Sequence, residues 1–353
     1  MSLKAGPYLR DLHAFRGVAI LAIVMAHAVG VVLNQYARAA GESNPWPVVR
    51  AVQEALWHNS TIYFALISGI LFSAVLASRG WRAFFRSKLL HVALPYAVMT
   101  ALFTLVIYRA GTGGQGFRIR VRGPGGYLNR LAEHLLEGTA LMPYWYIPVL
   151  LCLFALTPLV WRIARRAPAG MAFLALLPLL ISRTGIVFSF QSVVYFLGVY
   201  AVGIAAGMDF GRTRERLRSA RPALLAAALV TTALLLTAKL AGWNWRAGWL
   251  SPVESLFYVQ KLSVSGLVLG MLEDVRGGLA RLLDLCARYA FGIFFLHIIP
   301  LRMAVDVAFA VAPPPFGPLM LQLVIGGVFL AGTSASLAVS AGLARLFGRH
   351  SRK

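Results

Sequence analysis

Charged residues are scarce in this sequence. They make up 13% of its 353 residues, whereas about a quarter is usual in a soluble domain. Hydrophobic residues make up 59%, and the mean hydropathy is +0.73. This composition excludes an ordinary soluble globular protein and predicts an integral membrane protein with little mass outside the bilayer.

Acidic residues are the scarcest of the charged ones. Twelve Asp and Glu stand against 34 Lys and Arg, which gives a formal net charge of +22. Such an excess can signal binding to nucleic acid. Here the basic residues form short clusters between apolar runs, where membrane-topology signals occur. We therefore expect the lipid bilayer as a partner and no nucleic acid.

Cysteine is also rare. Cys152 and Cys286 are the two present, and both fall in or beside apolar segments. Two isolated cysteines form neither a disulfide framework nor a metal site, and no histidine spacing suggests a metal ligand set. We interpret both cysteines as packing residues and expect no metal.

Long apolar runs dominate what remains. Runs of about twenty apolar residues indicate membrane-spanning helices. The polar sequence Ser182-Arg183-Thr184 interrupts the fifth of these runs. The sequence predicts ten spans, at 14–33, 56–77, 89–108, 144–162, 170–187, 189–208, 222–241, 252–272, 288–311 and 317–342.

The distribution of Lys and Arg predicts the orientation of these spans. The basic clusters at 79–88, 162–166 and 212–221 all fall on one side of the predicted bundle, and the opposite side holds far fewer basic residues. Under the positive-inside rule, both termini are cytoplasmic. The predicted fold is thus an all-α polytopic membrane protein. We expect one membrane domain over 1–353, with no appended soluble domain.

The N-terminus also resembles a signal peptide. Lys4 and Arg10 precede an apolar stretch at 17–33, and Ala37-Arg38-Ala39 imitates a cleavage site. The apolar stretch is longer than a usual signal core. A cleaved signal peptide would also remove Arg16 and His27, which are candidate functional residues. We favour an uncleaved first transmembrane helix.

The loop predicted at 109–143 departs from the charge pattern, because it is basic although it lies on the outer side. It begins rich in glycine, and its later part, 127–136, has the spacing of a helix lying along the membrane surface. Two interpretations stay open: a mobile loop attracted to anionic lipid, or a lid that guides an anionic acceptor. Its basic residues are Arg109, Arg118, Arg120, Arg122 and Arg130.

Arg16 and His27 are the most informative polar residues. They are eleven positions apart, so on one helix they share a face and are separated by roughly 16 Å. A titratable imidazole at membrane depth is a candidate functional group, although a helix–helix hydrogen bond would also explain it. A neutral imidazole is a natural general base for deprotonating an attacking hydroxyl.

Arg16 has three possible roles. It would lie near the cytoplasmic edge, where its side chain can extend to the interface or pair with Asp11. A fixed guanidinium can also bind a phosphate-bearing donor that arrives from the cytoplasm. A flexible arm of roughly 15–20 Å, such as pantetheine, would then reach from Arg16 to His27.

Further polar residues interrupt other spans. His297 is a second imidazole in the ninth span, and Glu254 and Lys261 share a face of the eighth. Buried charge in several spans predicts a wet interior cavity. Trp145 and Tyr146 open the fourth span, as an interfacial belt or as a binding site.

The basic cluster at 79–88 has two interpretations. It is a topology signal, or it forms an anion site at the cytoplasmic mouth. Ser68 precedes this cluster in the chain and Tyr96 follows it.

These motifs, taken in order, resemble the acyltransferase-3 family of membrane acyltransferases. Segment 9–19 followed by His27 is similar to the family's opening signature, in which an Asp precedes an Arg-Gly pair and a His follows the Arg after ten intervening residues. Segments 64–69 and 85–96 look like the second signature and the basic entry to the third span. Segments 145–148, 195–198 and 292–297 follow in the expected order, so the resemblance covers nearly the whole chain.

The resemblance implies acetyl-CoA or another acyl-CoA as cytoplasmic donor, and a glycan or lipid-linked saccharide as acceptor. It implies His27 as catalytic base, with Arg16 and Asp11 supporting it. Donor binding would fall to Arg16, Arg86, Lys88, Ser68 and Tyr96, and acceptor binding to Trp145, Tyr146, His297 and Glu254. One departure is that Lys88 and His91 stand where the family often has two arginines.

The rival hypothesis is a transporter of a lipid-linked sugar or a small anion. Intramembrane His, Arg and Glu also mark proton-coupled pathways. Against it, the sequence shows no inverted pair of broken apolar segments. We therefore favour a transferase of short acyl groups in a bacterial cytoplasmic membrane.

Overall fold

The computed structural model describes residues 7–41, 46–109, 126–183, 185 and 187–348. These residues are almost entirely helical and contain no β-strand. The all-α prediction is therefore confirmed. In chain order the α-helices are Pro7–Ala40 (α1), Pro47–Trp57 (α2), Thr61–Leu71 (α3), Trp81–Lys88 (α4), Leu94–Arg109 (α5), Tyr127–Glu137 (α6), Tyr146–Arg166 (α7), Pro168–Leu180 (α8), Phe190–Met208 (α9), Phe210–Ser219 (α10), Arg221–Leu240 (α11), Pro252–Met271 (α12), Gly277–Arg288 (α13), Ala290–Leu296 (α14), Ile298–Val311 (α15) and Pro318–Gly348 (α16).

Eight helical segments in the described part of the chain are long and apolar enough to cross a membrane. They correspond to eight of the ten predicted spans. The predicted ninth span, 288–311, is the pair α14 and α15, and the chain bends by 55° between these two helices. The chain is therefore an integral multi-pass membrane protein.

The predicted fifth span, 170–187, is wrong in its second half. Helix α8 has 13 residues, about 20 Å of helix, and ends at Leu180. The chain then leaves the helix because Ser182 bonds to another segment. Its amide donates to the Trp249 carbonyl at 2.7 Å, and its hydroxyl accepts from the Ser251 amide at 2.9 Å.

The chain folds as two compact units. The first unit comprises Met1–Phe64, Arg214–Asn244 and Leu256–Lys353, and the second comprises Ala65–Thr213 and Trp245–Ser255. Each unit thus joins stretches that are distant in sequence. The prediction of one domain over 1–353 stays a prediction.

Helix α1 is the centre of the first unit, where it packs against α2, α13, α14, α15 and α16. Its contact with α13 requires Gly17. A Cβ atom at this position would overlap the carbonyl oxygen of Leu283. Small residues let membrane helices approach this closely, so Gly17 fixes the face of α1 on which its neighbour Arg16 lies.

The second unit uses the same device between α3 and α9. A Cβ atom at Gly69 would overlap the carbonyl oxygen of Tyr200, and one at Gly203 would overlap that of Leu66. Helix α6 packs along α5 in this unit. Its bounds confirm the helix predicted at 127–136.

We predict that Gly17→Ala lowers the thermal stability of the protein, because its methyl group has no room against α13. Overpacking of this kind costs about 1–3 kcal/mol. Gly30→Ala is the matched control: Gly30 lies on the same helix, and a Cβ there would meet nothing within 4 Å. Thermal unfolding of both variants in one detergent tests this, and equal melting temperatures would contradict the close packing of α1 on α13.

Candidate active site

One unbroken helix carries Arg16 and His27. Helix α1 runs from Pro7 to Ala40, so the predicted spacing applies, with both side chains on one face about 16 Å apart. Both residues are partly buried. The described structure therefore confirms that Arg16 and His27 share a helix.

A second histidine lies at the break between α14 and α15. Pro300 cannot donate a backbone hydrogen bond, and its ring disfavours helix at the carbonyl of Leu296. Helix α14 ends at that residue and α15 begins at Ile298, which leaves His297 at the bend with 0% of its surface exposed. Broken helices at membrane depth occur where protein or a cavity surrounds the backbone.

His27 and His297 are hydrogen-bonded to each other. Nδ1 of His27 lies 2.7 Å from Nε2 of His297. The two rings are stacked, with centroids 4.9 Å apart and planes inclined by 21°. The other nitrogen of His297, Nδ1, lies 2.9 Å from the carbonyl oxygen of Ile293. The two imidazoles thus form a chain that ends on a backbone carbonyl.

The carbonyl at the end of this chain fixes the positions of the protons. A carbonyl oxygen only accepts, so Nδ1 of His297 carries a hydrogen and donates it to Ile293. In a neutral ring, Nε2 of His297 is then the acceptor, and Nδ1 of His27 is the donor. Nε2 of His27 keeps its lone pair, and it has no hydrogen-bond partner among the described residues.

This geometry corrects the prediction for His297. We expected it to bind the acceptor, but both of its nitrogens are already hydrogen-bonded and its surface is buried. One of those hydrogen bonds joins it to His27. No sequence signal joins two residues 270 positions apart, although both had been singled out as buried imidazoles.

Asp11 does not pair with Arg16. Its carboxylate accepts a hydrogen bond from Arg214 of α10 at 2.9 Å, and Arg214 also lies 3.6 Å from Glu273. The prediction that Asp11 pairs with Arg16 is therefore wrong, and the Asp11–Arg214 pair ties α1 to α10 instead. Arg16 forms no hydrogen bond or ion pair with any described residue, so its charge is available to a bound anion.

The predicted donor residues of the second unit have different surroundings. Arg86 is exposed and Ser68 is partly buried. The Lys88 ammonium lies 4.4 Å from the centroid of the Phe154 ring. The Tyr96 hydroxyl lies 3.0 and 2.9 Å from the carbonyl oxygens of His134 and Leu135, which share its one hydrogen.

Tyr96 thus ties α5 to α6, and its predicted role in donor binding stays a prediction. Its hydroxyl satisfies the carboxyl end of α6. His134 is buried on that helix, and burial lowers the pKa of its imidazole because the charged form loses solvation.

The predicted acceptor residues of the second unit form a buried cluster. Trp145 and Tyr146 are 4% and 1% exposed, which excludes an interfacial belt at these positions. The Arg183 guanidinium lies 5.6 Å from the Trp145 ring and 3.4 Å from Glu254. The hydroxyl of Tyr146 is buried and has no hydrogen-bond partner in the described structure.

Arg183 was missed as a site residue. In the sequence it only interrupts an apolar run, whereas the structure buries it at 3% exposure beside Glu254 and Trp145. Of the basic loop residues, only Arg130 can be placed; the side chains of Arg109, Arg118, Arg120 and Arg122 lie outside the described residues. Within the described ranges, no three His, Cys, Asp or Glu side chains cluster as a metal site.

The fold and the oriented histidine define a polytopic membrane protein with a buried candidate base. A sequence comparison then identifies its family: the model of an acyltransferase domain matches residues 9–341. The chain belongs to the acyltransferase-3 family and is a membrane acyltransferase. No curated protein and no solved structure matches the chain.

We predict that Asp11→Asn destabilises the protein by about 1.5–3 kcal/mol, because it breaks a charged hydrogen bond at a buried position. Transfer activity per folded molecule should stay near that of the parent protein. Asp209→Asn is the control, since its pair with Arg212 is exposed and is worth about 0–1 kcal/mol. Thermal unfolding and specific activity are the measurements. Loss of activity without loss of stability in Asp11→Asn would support its catalytic assignment.

We also predict that His297→Leu lowers kcat by roughly two to four orders of magnitude, because the proton on His27 is then no longer directed. His297→Gln should recover part of the loss, since an amide oxygen can accept from Nδ1 of His27. Steady-state kinetics with a fixed acceptor measures both. Equal losses in the two variants would show that His297 only fills space.

Proposed function

We propose that this protein transfers a short acyl group, most simply acetyl, from cytoplasmic acyl-CoA to a hydroxyl of an extracytoplasmic or lipid-linked glycan. The bilayer concerned would be a bacterial cytoplasmic membrane. One observation carries the proposal: the hydrogen-bond chain from Ile293 through His297 leaves Nε2 of His27 as an oriented base.

The chemistry follows from that lone pair. Nε2 of His27 takes the proton of the acceptor hydroxyl while the hydroxyl oxygen attacks the thioester carbonyl. The carbon–sulfur bond breaks, and the coenzyme A thiolate leaves and takes the proton back from Nε2. Between these steps His27 is an imidazolium, whose Nδ1–H donates to the neutral ring of His297.

Arg16 would anchor the donor. It lies about 16 Å from His27 on the same face of α1, a distance that a pantetheine arm can span. Its guanidinium has no partner among the described residues, and a guanidinium matches the geometry of a phosphate group. The donor would therefore bind with the phosphate next to its pantetheine arm near Arg16 and its thioester near His27.

We also propose a separate role for the buried cluster of the second unit, which is to bind a sugar group. Trp145 offers an aromatic surface, while Arg183 and Glu254 offer a hydrogen-bond donor and acceptor. The unpartnered hydroxyl of Tyr146 adds a further polar group. A few convergent polar groups on an aromatic wall are typical of sites for polar small molecules.

Two routes use the same lone pair. In direct transfer, His27 acts as a base. In a relay, Nε2 itself attacks the thioester and holds the acyl group before the acceptor arrives. Incubation with labelled acyl-CoA and no acceptor separates the routes, because only the relay leaves the label on His27.

We predict that His27→Ala lowers acyl transfer in proteoliposomes by roughly two to four orders of magnitude, the usual contribution of a general base. His58→Ala is the matched control: it removes an imidazole of the same unit, whose ring lies 4.7 Å from that of Phe257 with the planes inclined by 50°. The assay uses radiolabelled acetyl-CoA with extracted lipids and glycans. Transfer by His27→Ala at the parent rate would contradict the mechanism.

The same preparation separates the enzyme from a transporter. Uptake of a lipid-linked sugar or an anion without acyl-CoA would favour the transporter. Mass spectrometry of surface glycans and lipids from cells with and without the gene identifies the acceptor. A mass difference of one acyl unit is the expected result.

A further inference from the structure

A cleft in the second unit combines positive charge with aromatic walls. Its volume is about 490 Å³, within the roughly 300–1,000 Å³ of small-molecule sites. Helices α7 and α4 line it. The residues are Pro158, Trp161, Arg162, Arg165 and Arg166 of α7 and Trp81 of α4.

The spacing on α7 explains how one helix builds most of this cleft. Counted from Pro158, its lining residues stand at i, i+3, i+4, i+7 and i+8. This is the spacing of a single helical face. The last turns of α7 therefore present a continuous stripe of one proline, one tryptophan and three arginines towards Trp81.

The three arginines are exposed and carry uncompensated charge. None of them forms a side-chain hydrogen bond or an ion pair with a described residue. Arg214 and Arg218 of α10 and Arg221 of α11 differ in this respect. Arg214 and Arg218 both lie within 4 Å of Glu273, and Arg221 pairs with Asp274 at 2.7 Å. The cleft thus retains a charge that an anion can satisfy.

The aromatic walls are held by Phe72. Trp81 stacks on this ring with centroids 5.7 Å apart and planes inclined by 19°. Trp161 meets the same ring edge-on at 5.5 Å. Trp81 is nevertheless 40% exposed, so it can pack against a further planar group. Nucleic-acid bases stack on such side chains.

We propose that this cleft binds the adenosine 3′,5′-bisphosphate end of acyl-CoA. Its purine would stack on Trp81 or Trp161, and its phosphates would bind Arg162, Arg165 and Arg166, because guanidinium groups bind phosphate in a bidentate manner. The charge bias of the sequence predicts a cytoplasmic position for this end of α7. The assignment rests on the proposed function, which supplies acyl-CoA as donor.

The predicted donor residue Lys88 has a contact of its own, because its ammonium lies over the Phe154 ring. Phosphate binding would therefore rely on the arginines of α7. Topology alone requires positive charge here, but it does not require two tryptophans beside that charge.

The test measures binding of adenosine 3′,5′-bisphosphate by calorimetry, with the protein in phosphatidylcholine nanodiscs. Arg162→Gln and Arg165→Gln should each weaken binding by at least tenfold, since each removes a charged hydrogen bond to phosphate. Trp81→Leu should weaken it severalfold. Arg216→Gln is the control, because Arg216 is an exposed basic residue of α10 outside the cleft. The affinity of this variant for adenosine 3′,5′-bisphosphate should equal that of the parent protein.

Acyl-transfer kinetics of the same variants separates this assignment from the proposed function. The KM for acyl-CoA should rise in the arginine variants while kcat stays close to that of the parent protein. Unchanged nucleotide affinity and unchanged KM in correctly folded variants would overturn the assignment and leave the proposed function standing. Nucleotide binding through the cleft without any acyl transfer would overturn the proposed function alone.

A lipid headgroup shares the phosphate chemistry but has no purine. Association with phosphatidylglycerol vesicles therefore serves as a second measurement. If the arginine variants lose only this association and the parent protein binds no nucleotide, the cleft is a lipid site and the proposal is wrong. The proposal is supported if inorganic phosphate at equal concentration does not displace bound adenosine 3′,5′-bisphosphate.

Discussion

The hydrogen bond between His27 and His297 is the interaction on which the site depends. Two imidazoles surrounded by apolar helices cost stability unless their polar atoms are satisfied. The Ile293 carbonyl satisfies one end and thereby gives the chain of protons a direction. Two local features place the partners. Gly17 lets α1 pack closely on α13, and Pro300 favours the break that leaves His297 at the bend.

Acidic residues are too few to pair with every basic side chain, so the cations that stay unpaired are candidate anion-binding groups. In the described part of the first unit, carboxylates neutralise basic side chains at several points, among them Asp11 with Arg214 and Asp274 with Arg221. Arg16 and the α7 arginines form no such pair. A cation that folding leaves unpaired is free to bind an anionic ligand, and coenzyme A carries several phosphate charges.

Hydropathy and periodicity predicted the helices well and the site only in part. Apolar runs located nine of the ten predicted segments, because the length of a span is a property of the local sequence. The spacing of Arg16 and His27 likewise needed only one helix. The partners of His27, Asp11 and Tyr96 all lie on other helices, and periodicity says which face of a helix is polar but not which helix covers it. Arg183 was misjudged for the same reason, since its partner Glu254 lies 71 positions away.

The proton arrangement of His27 is the central claim, and solid-state nitrogen NMR measures it directly. The protein would be labelled with nitrogen-15 at its seven histidines, reconstituted in lipid and assigned with single-histidine variants. The account predicts a protonated Nδ1 and an unprotonated Nε2 for His27, with a coupling from that Nδ1 to Nε2 of His297. A proton on Nε2 of His27 in the resting protein would contradict it, because the proposed mechanism requires a lone pair on that nitrogen.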